Sequence, residues 1–359
     1  MMSANEQIRD AAIRHALYLQ RYSTGLAQQI IDLLNSVDED LVGKIAQRLA
    51  AIDERGLILS KRTQERLETL LEEVRAINSA IYGKIGNALS DELSGLAGIE
   101  AQFQSSSIAK ALPASFATAT PTPNRLRAIV ESSLLTLGGN SGLLSSWVKG
   151  MEDGRASRVE AAIRKGLVQG QGTDEIARAI RGTKAQNYQD GILQISRRSA
   201  QSIVRTSVTH ISNVAAQQTW AENERLLKGW QFLATLDNRT TITCAGLSGN
   251  VYTIGEGPIP PLHVACRSTT IPVTKSWNEL GIAAKDISPS ERASMDGQVA
   301  ADVTFDKWLK NKGDKVQLEI LGPARAKLFR EGTLNLADFI RNDGTVLSLA
   351  QLKERHNLQ

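Results

Sequence analysis

The first 112 residues contain no proline. Proline is the residue that most firmly breaks a helix interior, so this stretch is free to run long helices, and its apolar spacing uses that freedom. Leu67, Leu70, Leu71, Val74, Ile77, Ile81, Ile85, Leu89, Leu93 and Leu96 recur at steps of three and four, a single stripe along one helical face. Lys61, Arg62, Glu65, Glu68, Glu72, Glu73 and Arg75 lie mostly around it, as charges on a solvated face do. The helix predicted over 61–103 reaches about 60 Å at 1.5 Å per residue. A second is expected over 5–34, with Ile8, Ala12, Leu19, Tyr22, Leu26, Ile30 and Leu33 on one side, and a third over 38–52. Such stripes form the core of a helical bundle. The 61–103 helix outruns the core of a small domain, so part of its stripe is left for a partner; Ile81, Ile85 and Leu89 are the docking candidates.

Composition agrees with helices. Aromatic residues make up 4% of the chain against 42% hydrophobic overall, so the cores rest on Leu, Ile, Val and Ala. No apolar run approaches the roughly 20 residues that span a bilayer, and the opening MMSANEQIRDAAIRH lacks the apolar stretch of a signal peptide, so neither membrane nor secretion is expected. Cys244 and Cys266 are the two cysteines, too few for a disulfide framework and suited to a reducing cytosol.

LPASFATATPTPNR, residues 112–125, breaks the helical pattern with three prolines and reads as a linker. Helices are predicted over 125–137, 143–151, 155–169 and 173–180, the last with Thr173 as N-cap and Gly182 as stop. A long helix follows over 196–227. Beyond Gly229 the texture becomes strand-like: GWQFLAT and NVYTI are strands, LSGN a tight turn, GEGPIPPLH a loop, and RSTTIPV a further strand that Pro272 places at an edge or a strand end. Short helices follow in TFDKWLKNK, LGPARAKLFREG and NLADFIRND. The expected fold is mostly α: an N-terminal long-helix bundle (1–112), connecting helices (113–154), an α+β module with a small antiparallel sheet (155–275), and a short-helix C-terminal tail (276–359).

Two features carry possible chemistry. Between Arg155 and His210, ten basic residues face four acidic ones. A basic face beside the RGTKAQNYQDG loop engages phosphates without reading bases, and Arg181, Lys184, Arg197 and Arg198 are the candidates; the alternative is a solvated face partly used in ion pairs. Cys244, His263 and Cys266 leave several readings open. They could bind zinc, with Asp237 or His210 as fourth ligand. They could form a thiol contact, or a Cys–His nucleophile, although no orienting acid stands at a recognisable spacing. They could also be polar scaffold tying a small β module. The phosphate-binding and nucleophile motifs GxxxxGK[ST], GxGxxG after a strand, and GxSxG are absent, and the Glu222/Glu224 pair reads as solvated helix surface.

The order of pieces is itself informative. Arg205–Thr206 in a long helix precedes a strand over 230–235, then LDNRT (236–240), Cys244, Gly249, Val251–Tyr252 and PPLHVACRS (260–268). This resembles the phage Mu F-like minor head protein family, found among the head-morphogenesis proteins of tailed bacteriophages. ASMDGQVAADVTFDKWL, LGPARAKLFREGTLNLADFI and LSLAQL resemble it more loosely. Thr241, Ser248 and Ser268 stand where many members carry Cys, Asp and Cys, which weakens the case for zinc. The resemblance implies that Arg205, Thr206, Asp237, Arg239, Thr240, Cys244, Gly249, Pro261, His263, Cys266 and Arg267 are structural signature residues that fasten loops. It implies a non-enzymatic minor head protein without cofactor or metal, present in several copies at the portal or inner capsid. Its partners would be the portal protein, the major capsid protein, or both, and packaged double-stranded DNA touched without sequence preference. Its work would be head assembly and DNA packaging or ejection, its location the virion, and the host cytoplasm during assembly. The competing reading is a virion-associated enzyme, a thiol- or metal-dependent hydrolase or a transferase toxin, carried on the same module.

Overall fold

The computed structural model describes residues 4–53, 61–112, 115–137, 140–281, 291–294, 297–300, 304–341 and 345–357. The architecture is mostly α, with long N-terminal helices and small antiparallel sheets. Helix α1 (Ala4–Asp53) is one element of 50 residues, so the two helices expected over 5–34 and 38–52 are one. Asn35 and Asp38, which locally favour a cap, are engaged instead by Arg155 and Arg197 from elsewhere in the chain, and Ser36 donates to the Leu33 carbonyl at 2.8 Å. Helix α2 (Lys61–Ala111) has 51 residues and runs past the expected end at 103. Each helix is about 75 Å long. They pack antiparallel: Leu41, Ile45 and Leu49 meet Leu67, Leu70 and Val74, and Ala4 shares a cluster with Ala111.

Helix α3 (Pro123–Ser132) begins under the Thr122 hydroxyl, which accepts the Arg125 N–H, and ends at Ser133 in extended conformation. The rest of the expected 125–137 helix is an antiparallel hairpin of β1 (Leu135–Leu137) and β2 (Asn140–Gly142). Helix α4 (Leu144–Val168) joins the two helices expected over 143–151 and 155–169, because Gly154 is tolerated in its interior. Helix α5 (Thr173–Arg181) is capped by Gly172 rather than Thr173, the Gly172 N–H donating to the Glu175 carboxylate at 3.1 Å. Helix α6 (Ile192–Glu222) is buried over much of its circumference and packs on α1, α2 and α4.

After a short 3₁₀ turn come β3 (Leu227–Leu233), an unexpected helix α7 (Ile242–Leu247), β4 (Val251–Tyr252) and β5 (Thr269–Thr274). The antiparallel sheet runs β4-β3-β5, and Pro272 sits on edge strand β5 opposite Trp230, the position a missing N–H allows. A hairpin of β6 (Glu291–Ser294) and β7 (Gly297–Ala300) precedes α8 (Phe305–Lys310), α9 (Asp314–Arg330) and α10 (Leu349–His356). Helix α9 breaks at Gly322, which has φ +72° just before Pro323.

The packing corrects two expectations. Ile81, Ile85 and Leu89 are not free for a partner: they are buried in one cluster with Leu26, Ile30, Val148, Val204 and Val208. The long stripe is covered because α1, α4 and α6 all pack along it. The divisions drawn at 112, 154 and 275 are likewise not boundaries between cores. Ala4, Ile8 and Ala12 of α1 pack with Leu233 and Ile271 of the sheet, and Ile108 shares a cluster with Trp220, Trp230 and Phe329.

Candidate functional site

The module is closed by polar clasps built from short-range turn chemistry and one helix face. Asp237, just beyond β3, accepts the Arg239 N–H at 3.0 Å, a side-chain turn of the kind Asp makes two residues ahead. The Arg267 guanidinium grips the same carboxylate through both terminal nitrogens, Nη2 to Oδ1 at 2.8 Å. Thr240 donates to the Thr235 carbonyl, and the Thr235 hydroxyl donates to the Arg267 carbonyl at 3.0 Å. Burial pushes the Asp237 carboxyl up, but Arg267, the Arg239 N–H and Thr240 outweigh it and hold it below the usual carboxylate range. The end of β3 is thereby tied to the start of β5.

Helix α6 supplies the second clasp. The Thr206 hydroxyl accepts the N–H of Ala265, a non-glycine residue at φ +53° whose left-handed backbone needs such a restraint. Thr209 donates to the Cys266 carbonyl at 3.1 Å, and Asn213 accepts the Thr270 hydroxyl at 2.8 Å. Thr206, Thr209 and Asn213 follow steps of three and four on one helix face. The sequence reading missed Thr209 and Asn213; that same spacing from Thr206 was the available signal. Pro261 is buried behind a cis Pro260–Pro261 bond. Gly249, at φ +96°, donates to the Phe232 carbonyl at 2.9 Å, and a Cβ there would come within 3.1 Å of Thr304.

Cys244, His263 and Cys266 do converge. The two Sγ atoms are 3.7 Å apart, His263 Nε2 is 3.4 Å from Cys244 Sγ, and the three possible ligand atoms all lie within 4.8 Å of one another. Hydrogen bonds from Cys244 and His263 hold the Cys266 thiol well below its ordinary range, against burial. Cys244 is pushed up, first by its bond to Cys266 and then by burial, and His263 is raised chiefly by Cys266. The three residues thus form one coupled cluster. It could equally give three ligands to a thiophilic cation such as zinc. The fourth ligand expected from Asp237 or His210 is not offered: Asp237 is held by Arg267, and His210 bonds the Ser133 hydroxyl at 2.9 Å. Both thiols are buried, and Cys266 borders a cavity between α1, α6 and the loop entering β5.

The basic candidates separate. Arg181, Lys184 and Arg198 are exposed and form no ion pair among the described residues, Arg181 lying over the Tyr188 ring. The loop carrying the first two is stitched by Asp190, which accepts the Thr183 N–H and hydroxyl at 2.8 Å each. Arg197 is withdrawn from this face: it pairs with Asp38 at 2.5 Å and donates to Asn35 at 2.7 Å. Arg205 and Arg239 also depart from expectation, since their side chains fasten no loop among the described residues.

Fold and site together define a helical protein that carries a small α+β module closed by polar clasps. Residues 157–271, from within α4 to within β5, match the family described as Phage Mu protein F like protein, a family of bacteriophage head morphogenesis. No curated protein and no solved structure matches the chain. Among the described residues, no helix is long and apolar enough to cross a membrane.

Proposed function

We propose that the chain is a structural, non-enzymatic minor protein of a phage head, held at the portal or inner capsid, where it serves head assembly and the passage of DNA. The family match over 157–271 carries this reading. The use of Asp237, Thr206 and Arg267 supports it, because each bonds protein to protein. Contact with packaged DNA is supported by Arg181, Lys184 and Arg198, whose unpaired charges suit sequence-independent phosphate binding.

With the long stripe covered, docking falls to the outer face of the helical hairpin. Leu17 and Tyr18 of α1 and Ile99 of α2 are exposed there. They lie between the His15–Glu100 and Tyr22–Glu92 bonds that register the two helices. The test is capture of the purified chain on immobilised portal protein and, separately, on major capsid protein. Binding to either that is lost in L17E/I99E is expected; binding to neither removes the docking proposal.

A second reading, a thiol- or metal-dependent hydrolase, has one observation in its favour, the convergence of Cys244, His263 and Cys266. The burial of both thiols weighs against it.

A further inference from the structure

A cavity of about 230 Å³ lies between α1, α6 and the loop entering β5. Arg205, Arg239 and Arg267 all line it, and no carboxylate does. Four hydroxyls on its wall are already engaged: Ser23 and Thr24 donate to the Gln20 carbonyl, Thr209 to Cys266, and Ser212 to Thr209. Arg267 has its charge offset by Asp237. Arg205 and Arg239 have neither hydrogen-bond nor ion-pair partners for their guanidinium groups among the described residues. Two uncompensated guanidinium groups therefore share one polar cavity, each with a fork of donors fitted to a pair of oxygens.

We infer that this cavity is an oxyanion site that takes a phosphate group, held by Arg205 and Arg239. A carboxylate would have to share its two oxygens between both forks, whereas a phosphate presents a separate pair of oxygens to each. The wall also favours an anion: it holds no carboxylate, while a cation would meet three guanidinium groups. The phosphate could be free inorganic phosphate or the terminal phosphate of a nucleic-acid strand, since both present the same head group. The site is separate from the Arg181, Lys184 and Arg198 surface and does not depend on it.

The experiment is calorimetric titration of the full chain, in buffer free of other oxyanions, with inorganic phosphate and with a short oligonucleotide with and without a 5′-phosphate. Saturable one-to-one phosphate binding is expected, weakened at least tenfold in R239Q and lost in R205Q/R239Q, with R198Q unchanged. The Arg239 side chain is exposed and bonds nothing among the described residues, so R239Q should leave the fold intact; circular dichroism checks the double variant. Binding of only the 5′-phosphorylated oligonucleotide, lost in R239Q, would support the site and assign it to strand ends. No saturable binding of either probe, or equal binding by R239Q, would overturn it. Oligonucleotide binding that ignores the 5′-phosphate and survives R239Q belongs to the other surface, so the two ideas fail separately.

Discussion

Asp237 is the carboxylate on which the module closes, taking two bonds from Arg267 and one from the Arg239 backbone. Replacing it with Ala leaves Arg267 half-buried without its partner, and should cost about 2–3 kcal/mol, the scale of hydrogen bonds to charged groups. Urea denaturation measures this, and D237A/R267A should cost less than the two single changes combined. The stabilisation from Asp237 is fully present above the unfolded carboxyl value of about 3.9 and is lost as pH falls through its lower folded value. His210 acts in a different window. Burial pushes it down to about 4, so the folded chain keeps it neutral while the unfolded chain protonates near 6.5. Stability should therefore decline as pH falls from about 6.5 towards 4, by up to roughly 3 kcal/mol, and His210→Gln should flatten that slope in acid denaturation. A stability unchanged between pH 7 and 4.5 would contradict the placement of His210. The signature residues were legible as a group because their types and order are distinctive. Which of them bond each other was not, since Asp237 and Arg267 meet only through the turn that follows β3.

The long apolar stripe made α2 readable over most of its length, because ten residues at helical spacing leave little alternative. The continuity of α1 was not readable. Asn35, Ser36 and Asp38 locally favour a break, and what overrides them comes from distant helices. Asp38 bonds Arg155 of α4 at 2.6 Å and Arg197 of α6 at 2.5 Å, so one carboxylate joins three helices. Arg155 is fully buried, and removing its counter-charge leaves an uncompensated cation inside the bundle. Asp38→Ala should thus destabilise by about 3–5 kcal/mol, the usual scale for breaking a buried pair. Thermal melting checks it: a melting temperature within a degree or two of the parent would show that the three-helix junction bears little of the fold. The same junction explains why Arg197 was misread as a DNA contact. Its charge is visible in the sequence, whereas its partner lies 159 residues away.

At the scale of the whole molecule, the helical hairpin and the α+β module share their cores. Ala4, Ile8 and Ala12 cover Leu233 and Ile271, while Ile108 and Leu112 enter the cluster around Trp220 and Trp230. Deleting residues 1–112 uncovers α6 and the sheet together, so the remaining fragment should lose cooperative unfolding and aggregate. A soluble, cooperatively folded fragment would show that the module stands alone. Composition and the proline-rich 112–125 stretch suggested such a boundary, because neither reports which faces pack across it. The proposed role as a structural component of a phage head is tested most directly by quantitative mass spectrometry of purified, salt-washed, DNA-filled heads. The chain should be retained at a fixed low ratio to the portal and major capsid proteins. Heads that contain both of those proteins but none of this chain would contradict it.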